Sequence, residues 1–428
     1  MASAPKSLPR TMEFVAKPAG APARSYRATM NPQSGQSWSG QQTAVIELSG
    51  GTPGTFLDAS QSYLEFTIRN GTNQALTLDG SGMSVLETVD VFFGGNQVSS
   101  VKSYNVIASG LLDHQVSTID RKTTWTSAGC ADYSVTAVSD GNVTVSEMLT
   151  GYYNRDGITL ASSTGVVTVA FPLINCLGVY ADKYIPLGAL RDNVKLQLTF
   201  ANASQWGKWA AEPTDYSLAV VKDLMYQAHI VEVAADVDAG LNQALNGIYA
   251  VPTLDITSIH RITGANDGSI TMHIPIRVSS ANAVFVIIRE TATVSSATLA
   301  SVGGRTKGTM VDYAFRLGPM RLPAIPVKTT DVAEARIELA KAFHSVGMAI
   351  APSGVSKAQY NGEAFMVGIQ LDAFAHAQEL MSDGQDTTSA QLFFEATLAS
   401  THNALRVDAF VLHDKMLVVE NGLLNYSI

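Results

Sequence analysis

Charged side chains are scarce in this sequence of 428 residues. Asp, Glu, Lys and Arg together make up 15% of it, whereas an average soluble protein has about 25%. Small and apolar residues fill the difference, and the mean hydropathy is +0.12. Depletion of charge is typical of surfaces that are buried against other subunits. We therefore expect repeated contacts with further copies of the same chain.

An apolar run suited to a membrane is also missing. Residues 157–181 carry no charge and are long enough to cross a bilayer. They include Ser, Thr, Pro and Asn, however, and their apolar residues come as short β-branched runs, which favours sandwich strands over a lipid-facing helix. The first ten residues, MASAPKSLPR, lack the apolar stretch of a secretory signal. We predict neither a membrane span nor secretion by a signal peptide.

Cysteine is nearly absent, and recognisable catalytic motifs are absent altogether. Cys130 and Cys176 have no paired spacing, which indicates free, buried thiols in a reducing compartment. No two of the eight histidines have the i, i+4 spacing of metal ligands, and there is no G-x-S-x-G motif. GGRTKGT, residues 303–309, lacks the residue order of a phosphate-binding loop, and we interpret it as a basic hairpin tip. Two acidic turns, residues 266–268 and 383–386, leave calcium open as an alternative. We predict no catalytic, cofactor-binding or metal-binding residue.

Basic residues and prolines are concentrated near the N-terminus. Residues 1–46 contain five prolines and five cations against Glu13 alone, which is a local charge of +4. A segment of this composition cannot bury a core, so residues 1–44 are predicted to form an extended N-terminal arm. Such an arm would reach a neighbouring subunit or a polyanion. The candidate contact residues are Lys6, Arg10, Lys17, Arg24 and Arg27.

The pattern that is present has a period of two. Apolar and polar residues alternate through VKLQLTF, residues 194–200, which predicts a half-buried strand. Gly94 and Gly95 follow the apolar stretch LETVDVFF and predict a hairpin. Residues 104–114 predict a short helix, and the continuous apolar run AVFVIIR, residues 283–289, predicts a fully buried strand.

One helix is predicted in the second half of the chain. Asp331 has the right chemistry for an N-cap, Glu334 three residues later completes a capping box, and Gly347 is a typical stop. The inner face of this helix is predicted to carry Ile337, Ala340, Phe343 and His344.

Together these patterns predict an all-β protein of two consecutive eight-stranded jelly rolls, which are β-sandwiches, with one short helix each and an extended N-terminal arm. The halves share this plan, although the long loop follows the helix in the first half and precedes it in the second. The predicted divisions are a first roll at 45–235 with a long loop at 117–156, a linker at 236–251, and a second roll at 252–428 with a long loop at 291–330.

Four stretches carry a resemblance to a known family. They are LETVDVFFGGNQVSSVKSYN (86–105), KYIPLGALRDNVKLQLTF (183–200), IPIRVSSANAVFVIIRE (274–290) and RVDAFVLHDKMLVVENG (406–422). The last is predicted as two strands that flank a charged turn. In plan, most of residues 45–428 resembles the double-jelly-roll major capsid proteins of the tectivirus–adenovirus lineage. The chain departs from that family's pattern at Asn193 and Lys195, where more acidic character is expected.

The resemblance implies a major capsid protein that is not an enzyme, needs no cofactor and assembles as pseudo-hexagonal homotrimers into an icosahedral virion shell around the genome. It implies other copies of the chain as partners, together with minor capsid and vertex proteins, and a genome or internal membrane that the basic arm would face. Synthesis would take place in the host-cell cytoplasm. Two alternatives stay open: a single-jelly-roll viral coat protein with a projecting domain, and a β-sandwich carbohydrate-binding protein or enzyme.

Overall fold

The computed structural model describes most of the chain, with gaps near the N-terminus and in two long segments. The described residues are 22–33, 35–79, 81–115, 134–135, 153–154, 158–181, 183–343, 355, 360–362, 364–373, 383–399 and 401–427. The predicted long loop at 117–156 therefore lies almost entirely outside the described residues, as do Cys130, His344 and Gly347.

Strands dominate both halves. The strands of the first half are β1 (Ala23–Met30), β2 (Ser37–Trp38), β3 (Thr43–Leu48), β4 (Thr55–Asn70), β5 (Leu76–Leu78), β6 (Leu86–Phe93), β7 (Asn96–Lys102), β8 (Ser134–Val135), β9 (Tyr153–Asn154), β10 (Thr159–Leu160), β11 (Gly165–Phe171), β12 (Val194–Phe200), β13 (Gly207–Trp209) and β14 (Ala219–Val233). Those of the second half are β15 (Ile248–Ile262), β16 (Ser269–Ile274), β17 (Ala281–Glu290), β18 (Met310–Leu317), β19 (Met320–Lys328), β20 (Val367–Gln370), β21 (Leu392–Leu398), β22 (Leu405–Glu420) and β23 (Leu423–Ser427). The α-helices in the described residues are α1 (Tyr104–Gln115), α2 (Ala235–Ala244), α3 (Thr291–Ser295) and α4 (Ala333–Ala342).

Each half forms two antiparallel sheets with four principal strands apiece. In the first half the orders are β1-β14-β4-β11 and β3-β12-β6-β7, and in the second they are β15-β22-β17-β20 and β16-β21-β18-β19. If the eight principal strands of each half are counted along the chain, both halves read 1-8-3-6 in one sheet and 2-7-4-5 in the other. This is the strand order of a jelly roll. The predicted fold class, two consecutive jelly rolls, is confirmed.

The two rolls also carry their main helix at the same place. α1 follows β7, the fifth principal strand of the first roll, and α4 follows β19, the fifth of the second. The expectation that loop and helix exchange places between the halves was wrong. It failed because residues 291–330 are not one irregular loop: they contain α3, β18 and β19.

The first roll begins earlier than the sequence suggests. Ala23–Met30 pairs with β14 along its whole length and forms the first principal strand, so the predicted arm at 1–44 overlaps the roll. The predicted linker at 236–251 contains α2 and the first residues of β15. β1 escaped detection because nearly all of its side chains are exposed, which leaves no alternating pattern.

The alternating stretch at 194–200 is a central strand of the first roll. β12 lies between β3 and β6, and Val194, Leu196, Leu198 and Phe200 all point into the core. The predicted hairpin joins β6 to β7, and Gly94 and Gly95 both have positive φ, as a tight two-residue hairpin turn requires. Both predictions are confirmed.

The helix of the second roll differs from its prediction. α4 begins at Ala333, after Val332 in the left-handed conformation, and this N-cap residue makes no capping hydrogen bond through its side chain. The Glu334 carboxylate instead accepts a hydrogen bond from the backbone N–H of Lys328 at 3.0 Å. Ile337 is 53% exposed, whereas the buried residues are Ala335, Leu339 and Ala342. The predicted inner face was therefore wrong at Ile337 but right at Phe343, whose ring stacks on Phe285 of β17 at 4.7 Å, while Leu339 and Ala342 pack on β20.

We predict that Leu198→Asp abolishes folding. Leu198 is fully buried in β12, and the substitution would place a carboxylate in the core without a partner. Circular dichroism during heating should show no cooperative transition. The control is Lys195→Gln on the exposed face of β12, which loses a 3.7 Å ion pair with Glu47 and should cost less than about 1 kcal/mol. A Leu198→Asp protein that melts like the parent would contradict this placement of the strand.

Candidate functional site

The basic residues predicted as a contact surface are only partly described. Lys6, Arg10 and Lys17 lie outside the described residues, whereas Arg24 and Arg27 lie on β1. Both side chains form hydrogen bonds with residues of the sheet that contains β1. Arg24 Nε donates to Glu232 Oε2 at 2.6 Å, and Arg27 Nη1 donates to the Tyr63 hydroxyl at 3.0 Å.

The Glu232 carboxylate accepts hydrogen bonds from two residues of β1, Arg24 and Tyr26. The Tyr26 hydroxyl donates to Glu232 Oε1 at 2.7 Å. The hydrogen bonds from Tyr26 and Arg24 hold the pKa of Glu232 below its usual range. Arg24 is therefore already neutralised on the surface of the first roll, which makes it a weaker site for a polyanion than the sequence suggests.

A buried polar cluster lies instead between the two rolls, at a contact that we call the seam. The seam joins β7, α1 and the segment 172–181 of the first roll to β15, β17, β22 and the segment 296–309 of the second. At its centre the edge strand β7 lies against the edge strand β15. Ser99 Oγ on β7 donates to Asp255 Oδ1 on β15 at 2.5 Å. Further along, the Lys102 backbone N–H donates to Ser258 Oγ at 3.1 Å.

Asp255 is one half of a buried ion pair. Lys415 on β22 donates from Nζ to Asp255 Oδ2 at 2.8 Å and also to the backbone carbonyl of Val98 on β7. Both charged side chains are almost completely buried. Burial raises the pKa of the neighbouring Cys176 thiol, and the Asp255 carboxylate adds to the rise. The thiol is thus kept protonated and unreactive.

The sequence placed a turn where this ion pair lies. RVDAFVLHDKMLVVENG was predicted as two strands around a charged turn, yet β22 runs through Leu405–Glu420 without interruption. Asp414 and Lys415 lie in the middle of that strand. The charges remain inside a strand because each has a buried partner: Asp414 accepts from Ser280 Oγ at 2.6 Å, and Lys415 pairs with Asp255.

A second buried ion pair corrects the interpretation of GGRTKGT. Arg305 was predicted at a basic hairpin tip, but its guanidinium pairs with Asp113 of α1, and both side chains are 0% exposed. Asp79 of the first roll accepts hydrogen bonds from the backbone N–H groups of Val302 and Gly303, at 2.9 and 2.5 Å. This loop of the second roll is therefore bound by carboxylates of the first.

The second roll adds a third ionic group beside this loop. Arg289 pairs with Asp408 at 2.7 Å and donates to the Ser301 carbonyl, also at 2.7 Å. Arg406 pairs with the other oxygen of Asp408 at 3.0 Å and reaches Ser103 Oγ of the first roll at 3.1 Å. Asp408 thus pairs with two arginines, and one of them, Arg406, also donates a hydrogen bond across the seam.

Apolar packing completes the seam. α1 of the first roll contacts β17 of the second, where a Cβ added at Gly110 would lie 3.0 Å from Ile287 Cδ1 and 3.2 Å from Met366 Sδ. This close approach explains why β17 is buried along nearly its whole length, as its continuous apolar run predicted. Trp206 and Trp209 are also fully buried.

A cavity of about 300 Å³ lies where the rolls meet, and Asp238 is the one carboxylate that lines it. Acid–base glycoside chemistry needs two carboxylates across a cleft. Among the described residues no group of three or more His, Cys, Asp or Glu side chains is placed to hold a metal ion. Within the same residues, none of the helices has the length and apolar character that crossing a membrane requires.

Comparison with known proteins gives a result at the level of structure alone. No family model and no curated protein matches this sequence. The fold is that of the double jelly rolls, and solved structures match it over nearly the whole chain. The capsid protein in the quasi-atomic structure of the PBCV-1 virus capsid has a TM-score of 0.66 at 9% identity, covering 98% of this chain and 99% of that chain.

Two further solved structures agree. The Faustovirus major capsid protein has a TM-score of 0.63 at 8% identity, covering 96% of this chain and 92% of that chain. The mavirus major capsid protein has a TM-score of 0.51 at 11% identity, covering 100% of this chain and 96% of that chain. The resemblance to double-jelly-roll major capsid proteins is thus confirmed for the fold. The alternative of one jelly roll with a projecting domain is not favoured, because both halves are complete rolls.

We predict that Asp255→Ala destabilises the protein by about 3–5 kcal/mol, because the Lys415 ammonium would stay buried without its carboxylate. The double variant Asp255→Leu/Lys415→Met removes both charges and should recover most of that loss. Denaturant unfolding measures both free energies. The matched control is Arg24→Gln, which removes an exposed ion pair and should change stability by less than about 1 kcal/mol. Equal stability of the single and double variants would contradict the buried pair.

Proposed function

We propose that this chain is a major capsid protein, which assembles as pseudo-hexagonal homotrimers into an icosahedral virion shell around a genome. The observation that carries the proposal is the whole-chain match of the two-roll architecture to viral capsid proteins, at 98% of this chain and 99% of the PBCV-1 chain. Because the match extends over both rolls, it covers their arrangement relative to each other as well as the fold of each roll.

The seam supports a structural role. Two sandwiches joined by a mobile linker would present their outer edges at variable angles. Here the buried pairs Asp255–Lys415 and Asp113–Arg305 cross from roll to roll or anchor the crossing contacts. A buried ion pair contributes little net stability but is satisfied in only one arrangement. A fixed angle between rolls is what a repeating shell requires.

The partners follow from this role. Other copies of the chain are the main partner, and minor capsid and vertex proteins would complete the shell. The basic residues Lys6, Arg10, Lys17, Arg24 and Arg27 are proposed to face the genome or an internal membrane. Because Arg24 is paired with Glu232, residues 1–21 would carry most of that contact. The protein would act in the virion without catalysis, cofactor or metal.

We predict that the purified chain forms trimers or shell-like particles without any added cofactor. Size-exclusion chromatography with multi-angle light scattering gives the mass, and negative-stain microscopy gives the shape. Pseudo-hexagonal particles or closed shells are the expected result, since two similar rolls in each of three copies form a six-part ring. A monodisperse monomer at micromolar concentration, with and without precipitating salts, would contradict the proposed function.

We predict that removing residues 1–21 leaves the fold intact and impairs shell closure. This truncation retains β1, whereas removal of residues 1–30 strips β1 from β14 and exposes the edge of the larger sheet. The longer truncation should therefore lower the melting temperature, and the shorter one should not. Calorimetry and microscopy of both truncations separate the two effects. Normal shells from the shorter truncation would refute a role for Lys6, Arg10 and Lys17 in assembly.

A further inference from the structure

The cavity where the rolls meet is built from turns. Its lining comes from both rolls and from α2, the helix that connects them. Three of the lining residues are glycines with positive φ, namely Gly54, Gly247 and Gly422. A Cβ added at Gly247 would meet no atom of the described residues within 4 Å, so the space beside this turn is open. The volume of about 300 Å³ lies at the lower end of the range for small-ligand pockets.

Asp238 brings a buried charge to this cavity. It lies in the first turn of α2 and is 8% exposed. Within the described residues its carboxylate forms no ion pair and accepts no hydrogen bond. Burial of a carboxylate without a partner is costly. The positive end of the α2 dipole offsets part of that cost, and a cation that enters the cavity would offset the rest.

The residues that line the cavity supply no positive charge of their own. Apart from Asp238 they are glycines, prolines, small residues, aromatic residues, Val419 and two asparagines. Arg191 packs the stem of its side chain against Gly422, but in the described part of the chain it forms no ion pair with Asp238. The charge of the cavity must therefore be matched by a group from outside the chain. Asn421 is exposed, which gives the cavity a side that reaches solvent.

Two aromatic rings line the cavity together with this carboxylate. Phe56 of the first roll and Tyr249 of the second are in edge-to-face contact, with ring centroids 6.4 Å apart. Burial raises the pKa of Tyr249, and the Asp238 carboxylate adds to the rise, which places the two groups near each other. The Tyr249 hydroxyl donates its proton to Asn242 Oδ1 at 2.8 Å, so this proton does not serve Asp238. Aromatic rings attract organic cations and pack against alkyl chains.

We propose that this cavity binds an alkylammonium group, with the ammonium on Asp238 and the alkyl chain against Phe56 and Tyr249. Calcium fits less well, because it takes about six to eight oxygen ligands and Asp238 is the one carboxylate in the lining. A free polyamine and the lysine side chain of a bound protein both carry the proposed group. Because both rolls line the cavity, the bound group would contact both of them. The inference goes beyond the proposed function and does not depend on it, since it concerns a single copy of the chain.

The first test is calorimetric titration of the full-length chain with butylammonium chloride. Asp238→Asn keeps the shape of the side chain without its charge, and it should weaken binding by about thirtyfold or more. The matched control is Asp236→Asn, which removes an exposed carboxylate from the same turn of α2 and should bind like the parent. Butanol, which has the alkyl chain without the charge, should bind the parent more weakly than butylammonium. If the parent does not bind butylammonium, or Asp238→Asn binds it equally well, the inference is overturned and the proposed function stands.

The second test measures melting temperature. Without an amine, Asp238→Asn should melt at or above the parent temperature, because it removes a buried charge that has no partner. Butylammonium should raise the melting temperature of the parent and leave that of Asp238→Asn unchanged. If Asp238→Asn melts well below the parent in the absence of amine, Asp238 has a structural role and the inference is overturned.

Two further ligands distinguish the sources of the ammonium group. Spermidine represents a free polyamine, and N-acetyl-lysine N-methylamide represents a lysine side chain within a protein. Tighter binding of spermidine to the parent identifies a free polyamine, and tighter binding of the lysine derivative identifies a protein partner. Either result supports the alkylammonium site if Asp238→Asn abolishes it. Binding of neither compound overturns the inference.

Discussion

The arrangement of the two rolls depends on buried charges that must keep their partners. Asp113 of the first roll and Arg305 of the second are both fully buried, and they form an ion pair across the seam. An unpaired charge at such depth would cost several kcal/mol, so the rolls cannot slide past each other without that penalty. The Asp255–Lys415 pair lies within the second roll and adds hydrogen bonds across the seam to β7, one of them from Ser99 Oγ at 2.5 Å. These contacts fix the second roll against the first.

The sequence reveals the elements whose signals are local. β12 shows strict alternation, the β6–β7 hairpin has Gly94 and Gly95, and the apolar run at 283–289 indicates a strand buried on both sides. Each of these patterns is set by the residues of the element itself, so a few consecutive residues are enough to predict the element. β1 and β19 were missed for the opposite reason. β1 is exposed almost throughout, and β19 contains Pro323 and Pro326. Both are edge strands, whose pairing on one side leaves little pattern.

The seam could not be derived from the sequence because its partners are remote from one another. Lys415 and Asp255 are 160 residues apart, and Arg305 and Asp113 are 192 apart. Arg305 follows two glycines and Lys415 follows another charged residue, and a turn is the ordinary interpretation of both contexts. The one available signal was the presence of Asp255 and Lys415 inside stretches that otherwise read as strands. Charges at such positions require buried partners, although their identity depends on the register of strands that meet only in three dimensions.

A contact within the chain and a contact between copies of the chain have different physical requirements. The contact within the chain forms once, during folding, when the linker α2 already holds the rolls close together. It needs orientation more than affinity, and buried ion pairs supply orientation at little net gain. A contact between chains must also overcome the loss of translational freedom. Exposed apolar side chains such as Ile325 gain free energy only when they are covered, which drives association. Buried ion pairs therefore suit a contact that orients two parts of one chain, whereas exposed apolar side chains suit a contact that joins separate copies.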